Sequence, residues 1–239
     1  MIKKNHILIL GGSSDIGIET IKILLEKNWK VTAQYSSNSK KLINLKKADA
    51  LKTVKLNFSK INEKNYKKIL KKNFNEKYDS FLNHIGYMDN KSFSTFNLDN
   101  AIKSISINAI IPMLIIKKII SKMIKQKYGR IVNCSSIGVK FGGGEKTFNY
   151  SLSKQTLEFI PRDYKSWAKN NVFINNIRIG LTNTKLHNKI RKKDLKKRIK
   201  MIPAQRMAEP VEISKLLIRL ASNENTYITG QTINFSGGE

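Results

Sequence analysis

Cysteine is nearly absent. The 239 residues contain one, Cys134, which excludes a disulfide framework and a cysteine-based zinc site and points to a reducing, cytoplasmic setting. Long apolar runs are also missing. The longest, Ala109 to Ile116, contains Pro112 and runs straight into Lys117 and Lys118, so no ordinary membrane-spanning helix is expected. The apolar run behind the basic Met1-Ile2-Lys3-Lys4 is short and ends in glycines, which reads as a strand and not a signal peptide. The three histidines, His6, His84 and His187, are scattered and form no metal constellation. Acidic residues number 17 against 45 basic ones, a formal charge of +28. Such a balance attracts polyanions, yet the excess is almost all lysine, and asparagine and isoleucine are abundant too. AT-rich codons encode all three, so the charge is read as a surface bias with no specific nucleic-acid partner; arginine, the better reader of phosphate and guanine, is sparse.

What is present is 40% hydrophobic residues, enough for one sizeable core, in a pattern of alternating strands and helices. Strands are expected at Ile7–Leu10, Val31–Tyr35, Thr53–Leu56, Ser80–Asn83, Gly129–Ser135, Val172–Ile179 and Thr232–Phe235. Helices are expected at Ile16–Lys27, Lys40–Lys47, Tyr66–Phe74, Leu98–Lys125, Asn149–Lys169 (kinked by Pro161) and Val211–Ala221. No repeat, low-complexity linker or composition shift divides the chain. The alternation predicts a single-domain α/β fold of Rossmann type, a doubly wound parallel sheet with helices on both faces.

Two local patterns carry chemistry. The first strand runs into Gly11-Gly12-Ser13-Ser14-Asp15-Ile16-Gly17, where glycines permit a sharp turn and the following helix start offers free N–H groups to a pyrophosphate. At the end of the second strand no acid is available for a ribose 2′-hydroxyl. The stretch Gln34-Tyr35-Ser36-Ser37-Asn38-Ser39-Lys40-Lys41 instead suits a 2′-phosphate, which favours NADP(H), with NAD(H) as the alternative cofactor. The second pattern is Tyr150 and Lys154, one helical turn apart. An ammonium beside the phenol lowers its pKa and makes it a usable proton donor or acceptor. Cys134-Ser135-Ser136 closes a strand where a hydroxyl can face the same site. Cys134 itself reads as a buried strand residue, since no histidine partners it in sequence.

In order and spacing these motifs resemble the short-chain dehydrogenase/reductases, most of all the 3-oxoacyl-[acyl-carrier-protein] reductases. The resemblance also takes in Asn83-His84-Ile85-Gly86, Asn108, Gly180-Leu181-Thr182-Asn183-Thr184, Glu209 to Ile213 and Tyr227 to Gly238, almost the whole chain. It implies an NADPH-dependent reduction of a ketone, most naturally a 3-oxoacyl thioester. Tyr150 would supply the proton and Ser136 would hold the carbonyl oxygen. Lys154 would bind the nicotinamide ribose and lower the Tyr150 pKa, and Asn108 would hold a relay water. The cofactor would be lined by Gly11, Ser13, Ser14, Asp15, Ile16, Gly17, Tyr35, Ser36, Asn57, Phe58, Asn83, His84, Gly86, Tyr150, Lys154, Gly180 and Thr182, with His84 lining the cleft without chemistry. Gly142 to Gly144 would form a loop beside the substrate. Residues 185–206, with Lys189, Arg191, Lys192, Lys193, Lys196, Lys197, Arg198 and Lys200, would form a basic substrate lid and favour an anionic, carrier-bound or small-molecule substrate.

The sequence departs from the pattern at several places. Leu10 stands for threonine, Asp15 for glycine and Asn57 for aspartate; His84-Ile85 stand for Asn-Ala, and Ile179 for proline. A homotetramer or homodimer is implied, although Pro161 interrupts a helix that commonly packs at a subunit interface in that family. Two other readings compete. One is a relative acting on a sugar or other secondary alcohol in cell-surface polysaccharide synthesis. The other is a non-catalytic dinucleotide- or polyanion-binding relative.

Overall fold

The computed structural model describes residues 5–37, 40–45, 49–185 and 192–239. Seven parallel strands form one sheet: β1 (His6–Leu10), β2 (Lys30–Tyr35), β3 (Leu51–Lys55), β4 (Ser80–Asn83), β5 (Gly129–Ser136), β6 (Val172–Ile179) and β7 (Thr232–Phe235), in the order β3-β2-β1-β4-β5-β6-β7. The order reverses between β1 and β4, and a crevice opens there beyond the strand carboxyl ends.

The strands read as near-continuous apolar runs because both faces are covered. Along β1, Ile7 and Ile9 enter one core and Leu8 and Leu10 the other. The first core is closed by α1 (Asp15–Glu26), α2 (Lys40–Leu45) and α9 (Pro210–Leu220) through Ile18, Ile21, Leu24, Leu42, Ile213 and Leu217. The second is closed by α3 (Tyr66–Asn73) and α5 (Ile111–Lys125), with α5 contributing Ile111, Ile115, Ile119 and Met123, while α4 (Leu98–Ile105) and α6 (Phe148–Leu157) pack against each other. The helical stretch Leu98–Lys125 is long and apolar enough to cross a bilayer, but half of its most apolar window is buried inside the protein; the buried side of α5 belongs to this core.

Two helices differ from expectation. Leu98–Lys125 is interrupted by a π turn at Ser106–Ile110, where the Ile111 N–H bonds back to the Ser106 carbonyl. Pro112 has no N–H to give the Asn108 carbonyl, so regular α-helical pairing fails at this point. The stretch 149–169 is broken, not kinked. Helix α6 ends at Leu157 and a short α7 (Tyr164–Ala168) follows. Leu157 lies four residues before Pro161, and a proline ring clashes with the carbonyl four residues back. Helix α8 (Lys192–Lys200) lies within the expected lid; residues 186–191, with His187, Lys189 and Arg191, lie outside the described residues.

Candidate active site

The glycine turn connects β1 to α1. Gly11 has φ +72°, and a Cβ on it would lie 2.9 Å from the His84 carbonyl oxygen; a Cβ on Gly17 would lie 2.7 Å from the Gly11 carbonyl oxygen. Only glycine allows the turn to close this tightly. Ser13 lies within the turn, and Ser14 caps α1, its hydroxyl accepting the Gly17 N–H at 3.0 Å. The amides of Asp15 and Ile16 then stand at the open end of the helix, where no intrahelical partner exists.

Gln34, unassigned by sequence reasoning, holds this loop. Its side-chain oxygen accepts the Gly11 N–H at 3.0 Å, its main-chain oxygen accepts the Gly12 N–H at 2.8 Å, and its amide donates to the Leu56 carbonyl at 2.6 Å. The turn, the helix amides and the acid-free end of β2 with the exposed Ser36 beyond Tyr35 fit the diphosphate and ribose of a nicotinamide dinucleotide.

Asp15 neither caps α1 nor points away. One carboxylate oxygen takes the Lys41 ammonium at 3.0 Å, and the other accepts the Lys185 N–H at 2.8 Å. Partial burial pushes its pKa up, but the Lys185 amide and the Lys41 charge outweigh that and hold the carboxyl below its usual range. Lys41, one of the two lysines at the end of the stretch suited to a 2′-phosphate, is therefore paired with Asp15.

Asn57 caps the turn Phe58–Lys60, its side-chain oxygen accepting both the Ser59 N–H and the Ser59 hydroxyl. Phe58 is buried in the second core, so its side chain is a packing group and not part of the crevice wall.

The reactive cluster lies where β4 and β5 end. Tyr150 and Lys154 share one face of α6, with the ammonium 5.7 Å from the Tyr150 ring centre. The Tyr150 hydroxyl lies beside Ser136, whose oxygen accepts the Gly138 N–H at 3.2 Å. The Lys154 ammonium donates to the Ile85 carbonyl at 2.5 Å and the Cys134 carbonyl at 2.6 Å, leaving one of its three N–H donors for another acceptor. Burial dominates the electrostatics. It pushes the Tyr150 phenol up to about 12, with Cys134 adding to the rise and the neighbouring Ser136 hydroxyl opposing it. It brings Lys154 down to about 8 against the raising influence of Cys134 and Glu158. A Tyr150 pKa lowered by Lys154 is thus not found: burial dominates, and Lys154, itself brought down to about 8, carries no charge at the pH where this phenol ionises.

Asn108 sits in the π turn with its amide committed. Its oxygen accepts the Tyr87 N–H at 2.7 Å, and its nitrogen donates to the Tyr87 carbonyl and the Ser153 hydroxyl, each at 2.8 Å. Both amide donors are used, so this side chain ties the loop after Gly86 to α6.

Beneath the cluster runs a polar ladder that only strand register brings together. Asn83 bonds Asn133 at 3.4 Å, Asn133 bonds Asn176 at 3.2 Å, and Asn176 donates to the Glu158 carbonyl at 2.8 Å. The Glu158 carboxylate in turn receives the Ser135 hydroxyl at 2.6 Å and a two-pronged contact from Arg178 at 2.8 and 2.7 Å. Three asparagines, one per strand, were the only signal in the sequence.

The fold also supplies Cys134 with the histidine its sequence neighbours lack: His84 Nδ1 lies 3.3 Å from the thiol sulfur. The pair is unreactive. Burial raises the thiol to about 12 and lowers the imidazole to about 3, so neither thiolate nor imidazolium forms at neutral pH. On the far wall, Gly180 fits only as glycine, since a Cβ would lie 2.6 Å from the Ser236 Cα. The Thr182 hydroxyl bonds the Gly180 carbonyl at 3.0 Å.

Comparison with known proteins gives a consistent picture. A sequence model of the family described as Enoyl-(Acyl carrier protein) reductase matches residues 11–239. An acetoacetyl-CoA reductase of Acinetobacter sp. (strain RA3849) is 31% identical over 162 residues, covering 67% of this chain and 64% of that protein. A 3-oxoacyl-[acyl-carrier-protein] reductase of Buchnera aphidicola subsp. Baizongia pistaciae is 32% identical over 170 residues, covering 70% and 68%. The chain thus aligns with about two thirds of the length of these relatives. Among solved structures, YwfH, an NADPH-dependent reductase involved in bacilysin biosynthesis, superposes with a TM-score of 0.86 at 21% identity over 99% of this chain and 98% of its own. A 3-oxoacyl (acyl-carrier-protein) reductase from Agrobacterium tumefaciens C58 with NADP bound superposes at 0.85 with 19% identity, over 100% and 95%. With the glycine turn and the Ser136, Tyr150 and Lys154 cluster on one Rossmann sheet, these matches establish that the chain belongs to the short-chain dehydrogenase/reductase family.

Proposed function

We propose that the protein is an NADP(H)-dependent reductase that converts a ketone to a secondary alcohol, with a 3-oxoacyl thioester as substrate. The observation that carries the reading is the Tyr150 phenol, beside Ser136, one helical turn from Lys154 and at the carboxyl edge of the sheet.

Gly11, Ser13, Ser14 and the amides at the start of α1 would hold the diphosphate, and Thr182 and the Gly180 loop would lie toward the nicotinamide. When bound there, a reduced nicotinamide supplies the hydride. The remaining steps belong to this chain. Ser136 and Tyr150 orient the carbonyl oxygen through their hydroxyls. Tyr150, neutral at pH 7 with a pKa of about 12, donates its proton to the developing alkoxide. The Lys154 ammonium stabilises the phenolate left behind and offers its third N–H to a ribose hydroxyl. Asn108 would hold the relay water through its main-chain carbonyl, which receives no bond from Pro112.

The NADP preference rests on the absence of an acid at the end of β2 and on Ser36, Ser37 and Lys40. An anionic, carrier-bound substrate is supported by the basic α8, in which Lys196, Lys197 and Lys200 stand beside an Arg198 already paired with Glu239. Exposed Leu98, Ile102 and Phe159 support a homo-oligomer, and a cytoplasmic setting completes the reading.

The test is a fluorescence titration with NADPH and NADH, followed by addition of a 3-oxoacyl thioester, with a 2-enoyl thioester and a sugar ketone as controls. The expected result is tighter NADPH binding and oxidation with the 3-oxoacyl thioester. Tyr150→Phe should bind NADPH and lose roughly 10²–10⁴-fold in turnover. Oxidation by the sugar ketone alone would move the substrate assignment, and a fully active Phe variant would overturn the mechanism.

A further inference from the structure

The crevice has two walls that are far apart in sequence: the glycine turn with the start of α1, and the loop Leu181–Lys185 that follows β6. The loop is already tied to the chain ahead of α9. Thr182 pairs with Ala208, the Asn183 N–H bonds the Ala208 carbonyl at 2.9 Å, and the Asn183 amide contacts both oxygens of Glu209 at 3.1 and 3.3 Å. Its hydrogen bond to the opposite wall comes from Asp15. That carboxylate accepts the Lys185 N–H across 170 residues of sequence and with its other oxygen holds Lys41 at the start of α2.

Asp15 occupies the first position of α1, so its charge also lies at the helix end where a diphosphate docks. An anion there is favourable to the helix but repels a second anion. A carboxylate that only opposed the ligand would be a defect. One that bonds both walls has a second effect of the opposite sign, because it fixes the spacing of the crevice.

The geometry points to Asp15 as a positioning residue: its carboxylate clasps the Leu181–Lys185 loop to the glycine turn, setting the spacing between the diphosphate and nicotinamide ends of the dinucleotide site. This rests on the dinucleotide-binding reading above. The clasp needs an oxygen acceptor at this position; the negative charge itself works against the diphosphate. Electrostatics alone would therefore make Asp15→Asn and Asp15→Ala alike, both binding the nucleotide more tightly. The clasp separates them, since asparagine keeps an acceptor for the Lys185 N–H and alanine does not.

The experiment compares the full-length protein with Asp15→Asn and Asp15→Ala, each checked for an unchanged thermal transition. Hydrogen exchange of the Lys185 amide is followed without nucleotide, and NADPH dissociation constants are then measured by fluorescence. Exchange in Asp15→Ala should be about tenfold faster than in the parent protein, the size of one lost hydrogen bond, and Asp15→Asn should stay within about twofold. NADPH binding should weaken several-fold in Asp15→Ala and hold or tighten in Asp15→Asn. If the two variants match each other in exchange and in affinity, the clasp is refuted. If the parent protein binds neither NADPH nor NADH, the dinucleotide reading fails, while the exchange comparison still decides whether Asp15 joins the walls.

Discussion

Acidification should destabilise this protein through His84, and the effect can be sized. The ring makes a contact to the Cys134 sulfur at Nδ1, and its Nε2 is buried with no hydrogen-bond partner among the described residues. Burial, with the Lys154 ammonium adding to it, holds the imidazole near pKa 3 against an ordinary 6.5. The unfolded chain therefore takes up a proton below pH 6.5 that the folded chain refuses until about pH 3, so stability falls with pH across that window. Each pH unit removes about 1.4 kcal/mol. Between pH 7.5 and 4.5 the loss amounts to about 3 kcal/mol, an upper figure because the residue keeps partial exposure, and a sizeable share of the 5–15 kcal/mol typical of a domain. The assay is urea unfolding of the parent protein and His84→Asn at both pH values. His6, which burial also holds below its ordinary pKa, and the paired carboxylates Asp15 and Glu76 are common to both proteins and cancel in the comparison. The parent should lose about 3 kcal/mol more than the variant over this interval. Equal losses would show that the imidazole accepts a proton inside the fold, and the argument from its burial would fail.

Two further predictions concern the reaction. Lys154, brought down to about 8, is charged below that pH and neutral above it, so kcat/KM for reduction should fall as pH rises through about 8; a profile flat to pH 10 would contradict the assigned role. Because Glu158 raises the Lys154 pKa, Glu158→Gln should move that alkaline limb to lower pH. It should also cost about 2 kcal/mol in urea unfolding, reduced from a fully buried pair because the Arg178 side chain is 24% exposed; an unmoved limb would restrict Glu158 to a structural role.

Much of the architecture was legible in the sequence because it depends on local periodicity. The strands Ser80–Asn83, Val172–Ile179 and Thr232–Phe235 fall where alternation placed them, and the glycine turn is dictated by steric limits that only glycine meets. Tyr150 and Lys154 are one turn apart in any helix, so their pairing needed no tertiary information. Pro161 announced a disturbance, although its outcome, a break at Leu157, depends on which carbonyl loses its partner; the π turn around Asn108 was not anticipated.

The rest was decided by contacts across the sheet. His84 meets Cys134 because β4 and β5 lie in register. The same registers stack Asn83, Asn133 and Asn176 into a ladder whose members are far apart in sequence. Asp15 reads as a misplaced charge beside a phosphate site until the loop after β6 arrives to accept it. The Tyr150 pKa illustrates the division most clearly. Spacing supplied the ammonium that should lower it, but burial, a property of the folded whole, raises the phenol to about 12 and brings the ammonium down to about 8, so the charge is gone before the phenol ionises.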